Sequence, residues 1–325
     1  MARTRLTHKD KIMSKDDPTI PGMNPLKEQL LSCHLCPRHC GANRITGEKG
    51  VCGLDDGITL ARALPYHGEE PPISGTWGAG ALFLASCNLR CRYCQNFQIS
   101  HQNHGEKLSP EELALRMMTL QDQGCHNIET VTPTSQLPQL VDALQLAWEA
   151  GLNLPLVYNC GGYENPEIIR LLDGLVDVYL PDFKYGNGED ASRLSGVKDY
   201  TPFALKAIGE MIKQVGSELD LDDDGIATRG IIIRHLVLPG HIENSIQVLK
   251  LIQQHFSLET PLSLMSQYTP TRWVKDDPLL GRRITKKEYD EVVNQALDMG
   301  FEQIFVQEVD DRNLSPDFDN PNPFP

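Results

Sequence analysis

The most restrictive feature of the chain is a short apolar run, residues 81–84, that leads directly into three cysteines, Cys87, Cys91 and Cys94, spaced C-x3-C-x2-C. An apolar run of this length that stops at a loop reads as a buried strand. Iron–sulfur clusters ordinarily take four cysteines. Three thiolates at this spacing can hold three irons of a cubane and leave the fourth open to another ligand. Zinc sites usually pair two C-x2-C knuckles to complete four ligands, and no fourth Cys or His stands in that register here. Nor are three cysteines within eight residues the pattern of inert buried thiols.

A second group precedes it: Cys33, Cys36, Cys40 and Cys52, spaced C-x2-C-x3-C-x11-C, with glycines at 41, 50 and 53. Four thiolates complete a set for zinc or for a second iron–sulfur cluster, and spacing does not choose between them. Seven of the nine cysteines fall in these two groups. That implies metal ligation in a reducing compartment rather than a disulfide scaffold. The first residues carry no apolar signal segment, and no run approaches the length of a membrane span, so the expectation is a cytoplasmic protein without a membrane partner. With 44 acidic against 30 basic residues, a nucleic acid partner is not expected.

Hydrophobic residues make up 40% of the 325, enough for one large core with a small appendage. A flexible tail is expected at 1–25, a Cys-rich metal-binding segment and linker at 26–78, the main domain at 79–309, and an irregular C-terminal tail at 310–325. Regular structure is not expected across residues 70–73, where Pro71 and Pro72 remove two donors, and His67, Glu69 and Glu70 read first as solvated linker residues, the alternative being a loop folded over the barrel that places one of them near the substrate. Beyond the cysteine loop, strands near 127–132, 154–159, 176–180, 230–238, 262–265 and 301–306 alternate with helices near 110–123, 136–150, 166–173, 203–215, 244–256 and 286–299. Such alternation implies a parallel sheet with right-handed crossovers. The fold class is therefore α/β, a partial (βα)6-type barrel with a small Cys-rich N-terminal segment. Sites in such folds lie at the C-terminal strand ends. Those positions hold Thr132, Asn159, Asp182 and Lys184, while Arg234 lies within the fifth strand.

On these residues the chain resembles the radical S-adenosylmethionine (SAM) superfamily. Cys87-x3-Cys91-x2-Cys94, with Tyr93 before the third cysteine, is similar to the superfamily's cluster loop. Asp182-Phe183-Lys184 resembles the D-x-K turn of pyruvate formate-lyase activating enzymes, and Arg234 matches an arginine that approaches SAM there. With residues 33–53 and 68–75 included, almost the whole chain resembles a less characterised, PflX-like branch of that group. One departure stands out: a Gly-Gly-Glu motif that binds the SAM amino group usually follows the second strand, and Thr130-Val131-Thr132-Pro133-Thr134 occupies its place.

The resemblance implies a [4Fe–4S] cluster on Cys87, Cys91 and Cys94, and SAM held by Tyr93, Thr132, Asn159, Asp182, Lys184 and Arg234. It implies an electron donor such as flavodoxin or ferredoxin, and reductive cleavage of SAM to a 5′-deoxyadenosyl radical. No catalytic side chain is assigned beyond the cluster ligands. The substrate would be a glycine Cα–H on a partner protein, as in glycyl-radical activases, or else a small molecule or another protein side chain. The alternative from a different class, a non-catalytic electron carrier, would need four thiolates on the 87–94 loop.

Overall fold

The computed structural model describes residues 23–310 and 315–324. A first helix, α1 (Met23–Glu28), precedes the cysteine-rich segment. That segment contains only one 3-10 turn, Arg44–Thr46. It is joined to the rest through Arg44, which is fully buried and donates from Nη1 to Ser135 O and from Nε to Asp55 O, both at 2.8 Å. β1 (Ile58–Tyr66), α2 (Pro71–Ser74) and β2 (Ala79–Leu84) follow.

After the cysteine loop come α3 (Phe97–Ser100), β3 (Glu106–Leu108), α4 (Pro110–Asp122), β4 (Ile128–Val131), α5 (Leu137–Glu149), β5 (Leu156–Cys160), α6 (Pro166–Arg170) and β6 (Val178–Pro181). The remainder comprises α7 (Gly188–Ser195), α8 (Tyr200–Val215), β7 (Asp220–Leu221), β8 (Ala227–Ile231), β9 (Ile233–Leu236), α9 (Ile242–His255), β10 (Leu262–Met265), α10 (Lys286–Asp298) and β11 (Ile304–Val306).

The sheet is mostly parallel. Strands run β3-β1-β2-β4-β5-β6-β8-β7, and β11-β10-β9 continue on the far side. A parallel bridge between Asp182 and Arg234 links the two sheets. Among the described residues the antiparallel pairs are β1 with β2, β1 with β3, and β7 with β8. Within the described residues β2 and β11 do not pair, so the parallel run stays open, in keeping with the α/β class expected. Strands β2, β4, β5 and β6 are buried at every residue, as parallel strands with both faces covered are: the long helices pack on one face, and Ile73, Ile232, Ile99 and Phe318 on the other. The helices begin where local chemistry satisfies their free N–H groups. Ser109 with Glu112, and Thr285 with Glu288, form capping boxes, and Pro110 occupies the first turn of α4.

Several sequence expectations need correction. The linker reading of 54–78 misses β1, a nine-residue strand that pairs antiparallel with β2; the Gly and Pro content of the stretch masks the alternating I-T-L-A-R-A-L run. Residues 71–74 form a helical turn, because proline is tolerated in a helix's first turn, where its missing N–H has no intrahelical partner. The strand expected at 230–238 changes partner midway: β8 pairs with β6, and β9 with β10. Gly230 permits the bend with φ +123°, and a Cβ there would meet Glu218 O at 2.0 Å. Short elements β3, α2, α3 and α7 had no counterpart in the reading. Most of the tail expected at 1–25, together with 311–314 and 325, lies outside the described residues. Residues 315–324 lack helix and strand but are packed down: Phe318 is fully buried and held by Arg62 Nη2 to its carbonyl at 2.7 Å.

Candidate active site

At the C-terminal ends of the parallel strands lies a cavity of about 690 Å³. Cys87, Cys91 and Cys94 line it, and so do all six side chains singled out as SAM-binding: Tyr93, Thr132, Asn159, Asp182, Lys184 and Arg234. The topology explains this convergence. Each residue lies on the cysteine loop, at or just past a parallel strand's C-terminal end, or on β9, and the open sheet curves these positions around one space.

The three thiols are free and each has polar company. Ser195 Oγ donates to Cys91 Sγ at 2.9 Å, and the Leu89 N–H to Cys87 Sγ at 3.4 Å. Ser100 Oγ lies 3.2 Å from Cys94 Sγ. Burial raises the Cys87 thiol above its ordinary value and pushes Cys94 up to about 12, and in both cases the neighbouring Cys91 adds to the effect while Lys184 opposes it. Tyr93 is buried, its hydroxyl 2.9 Å from that of Tyr185, which also contacts Ser195. The loop is shaped by residues held at positive φ, Ser86 (78°) and Arg90 (60°).

Opposite the thiols sits a buried charge cluster. Arg234 Nη1 lies 2.6 Å from Glu69 Oε2, and its Nε is 3.5 Å from Asp182 Oδ1 and 3.7 Å from Glu70 Oε1. Lys184 pairs with Asp182. Asn159 Nδ2 donates to Glu129 Oε1 at 2.7 Å. Burial opposes the Arg234 cation, but Glu69, Glu70 and Asp182 together hold it charged. Burial likewise opposes the Lys184 ammonium, which Asp182 and Cys91 more than restore. For Glu129, burial and then the Glu69 charge raise the carboxyl well above the carboxylate range, and burial raises Glu69 too, against the neighbouring Arg234 cation. Four carboxyl groups, those of Glu69, Glu70, Glu129 and Asp182, thus gather around two cations. Glu70 Oε2, Glu129 Oε2, Asp182 Oδ1 and Arg234 Nε are all buried without a hydrogen-bond partner. Such atoms are costly unless something completes them.

Thr132, where the Gly-Gly-Glu motif is missing, adopts φ +58°. That is an outlying conformation for a β-branched residue and stores strain at the cavity wall. His235, beside Arg234, faces away: its ring nitrogens bond Phe183 O and Ser245 Oγ, and burial pushes its pKa down to about 4. Cys125 and Cys160 are buried free thiols, and Cys160, at the end of β5, lines the cavity.

Glu69 and Glu70 overturn the solvated-linker reading. Charge next to two prolines looks like an exposed loop, yet α2 folds both carboxylates under Arg234. Glu129 was likewise passed over, although an acidic residue inside the apolar run Ile-Glu-Thr-Val is itself a signal. The front cysteines do not line the cavity. Their segment instead grips the cluster loop from behind: Arg38 Nε donates to Asn88 O at 2.8 Å and its Nη2 to Leu89 O at 3.2 Å, and Ser86 Oγ donates to Cys52 O at 2.9 Å. Among the described residues, no three His, Cys, Asp or Glu side chains converge closely enough to hold one metal ion. A cubane does not require that, since each thiolate binds a different iron. A zinc ion at Cys33, Cys36, Cys40 and Cys52 would require these thiols to close in further.

A family model described as the radical SAM superfamily matches residues 82–252, more than half of the chain. The chain belongs to the radical SAM superfamily. An uncharacterized protein of Methanocaldococcus jannaschii, MJ0674, is 31% identical over 280 residues, covering 83% of this chain and 75% of that one. Among solved structures, methylornithine synthase (PylB) is similar with a TM-score of 0.47 at 16% identity, covering 68% of this chain and 61% of that one. Streptococcus suis SuiB bound to S-adenosylmethionine is similar with a TM-score of 0.45 at 11% identity, covering 71% of this chain. The chain spans less than half of the SuiB chain's length, 46%. Membership implies an enzyme that uses a [4Fe–4S] cluster and SAM. The residues around the cavity suit both groups: three loop thiols with polar groups at their sulfurs, and the carboxyl groups of Glu69 and Asp182, the latter with an unpartnered oxygen, for a cationic ligand. No helix among the described residues is long and apolar enough to cross a membrane.

Proposed function

We propose that this radical SAM enzyme holds its [4Fe–4S] cluster on Cys87, Cys91 and Cys94 and binds SAM in the 690 Å³ cavity beneath the loop. One observation carries the reading: the three thiols line one cavity together with Glu69, Lys184, Asp182 and Arg234, the last two with an unpartnered polar atom each. The bound pair supplies the chemistry, one electron from the reduced cluster cleaving SAM to methionine and a 5′-deoxyadenosyl radical that abstracts hydrogen from the substrate.

The chain's residues bind and orient. Arg234 provides the cation for the SAM carboxylate, with Lys184 beside it. The Glu69 and Asp182 carboxyl groups on the cavity wall suit the sulfonium and the amino group, in place of the missing Gly-Gly-Glu motif. Thr132 and Asn159 offer polar contacts on the β4 and β5 side, and Tyr93 an aromatic wall. Ser195 and the Leu89 N–H donate toward the cysteine sulfurs, which favours the more negative, reduced state. The buried walls exclude water and oxygen.

The finer reading follows the resemblance to pyruvate formate-lyase activating enzymes of the PflX-like branch: the substrate is a glycine Cα–H on a partner protein, and the electron comes from flavodoxin or ferredoxin. Cys33, Cys36, Cys40 and Cys52 bind a second cluster or zinc in the same reading, supported by a segment that has one 3-10 turn and little core of its own. A second substrate class is favoured by one observation. Pro316, Asn322 and Phe324 of the C-terminal arm wall the cavity, which narrows access and suits a small molecule.

The test is anaerobic reconstitution with iron and sulfide, followed by spin-resonance spectroscopy of the reduced protein with and without SAM. A SAM-dependent change in the cluster signal, and 5′-deoxyadenosine formed with dithionite, are expected. Both should vanish in Cys87→Ala/Cys91→Ala/Cys94→Ala. No iron bound after reconstitution would refute the proposal.

A further inference from the structure

The outer face of the cluster loop differs in character from the rest of this acidic chain. Arg92, directly after Cys91, is exposed, and its Nη2 lies 3.4 Å from Trp273 O. Thr271 Oγ1 donates back to Arg92 O at 2.9 Å, so the 271–273 segment is fastened to the loop. Arg272 is also exposed, and its guanidinium sits 4.5 Å from the Trp273 ring centroid and 5.0 Å from that of Phe97. His101 stacks on the other part of Trp273 at 5.4 Å. Arg90, on the near side of Cys91, is exposed as well.

Among the described residues, Arg90, Arg92 and Arg272 have no carboxylate within 4.0 Å, although acids outnumber bases 44 to 30 in the chain. Trp273 remains 39% exposed. Carboxylates come closest at two edges: Asp277, whose acidity Arg92 and Arg193 increase, and Asp317 and Asp319 beyond Gln98. The centre of the face is therefore two unpaired cations, Arg92 and Arg272, beside an exposed indole, with Arg90 at the edge of the cavity, and it adjoins the cysteine loop.

We propose that this face docks an acidic one-electron carrier protein, which reduces the cluster through the loop. The inference rests on the proposed function, because it assumes that Cys87, Cys91 and Cys94 hold the redox centre. Two observations favour an acidic protein. Unpaired arginines on a net-negative molecule give a local field of opposite sign to the whole, which orients an acidic partner as it approaches. An exposed Trp flanked by Arg is the residue pairing enriched where protein surfaces bind. The face is distinct from the cavity, which none of Arg92, Arg272 and Trp273 lines.

The experiment uses the reconstituted holoprotein and a reduced flavodoxin as the acidic carrier, with dithionite as the small reductant. Stopped-flow absorbance reads the cluster reduction rate. In the wild type the flavodoxin rate should fall steeply between 50 and about 300 mM salt, as a field acting over a Debye length of about 10 Å at 0.1 M requires. In Arg92→Glu/Arg272→Glu that rate should drop by about tenfold or more at low salt, while the dithionite rate is unchanged. Arg272→Glu/Trp273→Ala, which leaves the cysteine loop untouched, should show the same loss together with weaker flavodoxin binding by titration calorimetry. A wild-type flavodoxin rate insensitive to salt, or Arg272→Glu/Trp273→Ala reduced at the wild-type rate, overturns the docking face alone. A wild-type holoprotein that dithionite cannot reduce overturns the proposed function, and the docking face with it.

Discussion

Arg234 is the residue whose removal tests the site most directly. It is 8% exposed and faces Glu69 at 2.6 Å, Asp182 at 3.5 Å and Glu70 at 3.7 Å. At an effective dielectric near 20, unit charges about 4 Å apart attract by about 4 kcal/mol. Desolvation offsets much of that, so the net worth of the pairing is modest. Breaking it is not, because the carboxylates stay buried. Arg234→Met should therefore cost about 3–5 kcal/mol. Glu69→Gln removes one buried charge and leaves Arg234 paired with Asp182, so it should cost about 1–3 kcal/mol. The double variant relieves part of the uncompensated negative charge. It should cost less than the sum of the singles by about 1–3 kcal/mol. The assay is urea unfolding followed by circular dichroism on the metal-free chain, where loss of a cluster does not complicate the transition. A single-variant cost below about 1 kcal/mol, or additivity within about 0.5 kcal/mol, would refute electrostatic coupling in this cluster.

Three further predictions follow from the same geometry. Glu164 is buried, accepts from Thr134 Oγ1 at 2.8 Å and from Tyr158 OH at 3.3 Å, and burial pushes its pKa up to about 8. A raised carboxyl favours the folded state at low pH, and that contribution is lost as pH rises from the ordinary carboxylate range through 8. Wild-type stability should fall across that window by on the order of 5 kcal/mol, and Glu164→Gln should flatten the fall in pH-dependent unfolding. Gly162→Ala should unfold the chain at markedly lower urea. Its φ is +75°, and a Cβ there would lie 2.0 Å from Asp182 O in the turn that carries the Asp182–Lys184 pair; a loss under about 1 kcal/mol would contradict that crowding. Ser195→Ala removes the 2.9 Å donor to Cys91 Sγ. It should lower the cluster's reduction potential in a redox titration with iron content unchanged, and an unaltered potential would show that the hydroxyl does not tune the sulfur.

What the sequence made legible was whatever has a short-range signature. The parallel strands announce themselves as apolar runs because both faces are buried. The cysteine loop announces itself by spacing alone. Asp182, Lys184 and Asn159 could be placed because strand ends converge in any open parallel sheet, so a residue's position along its strand predicts its neighbours in space. Arg234 had no such guarantee: on a strand, a shift of one residue would have turned it outward and put His235 in the cavity. Its placement depends on the bend at Gly230, which is a backbone crowding effect invisible in a hydrophobic pattern.

The acidic partners were the part that local reading could not reach. Glu69 and Glu70 lie 165 and 164 positions from Arg234, and next to prolines they carry the signature of solvent-exposed loops. What inverts that signature is β1, which pairs antiparallel with β2 from Leu60–Leu84 to Tyr66–Ala79. The chain leaves β1 at Tyr66, beside the N-terminal end of β2, and α2 returns it to Ala79. The twelve residues between the two strands carry His67 and Trp77 out to water but turn Glu69 and Glu70 inward against Arg234. Strand pairing thus delivers the carboxylates to the inside of the sheet, and Arg234 holds them there. The consequence is that the cavity's electrostatics depend on an element outside the βα repeat. A change that unpairs β1 from β2 should expose Glu69 and Glu70 and leave Arg234 with Asp182 alone of its three carboxylate partners, even with every cavity-lining residue of the repeat intact.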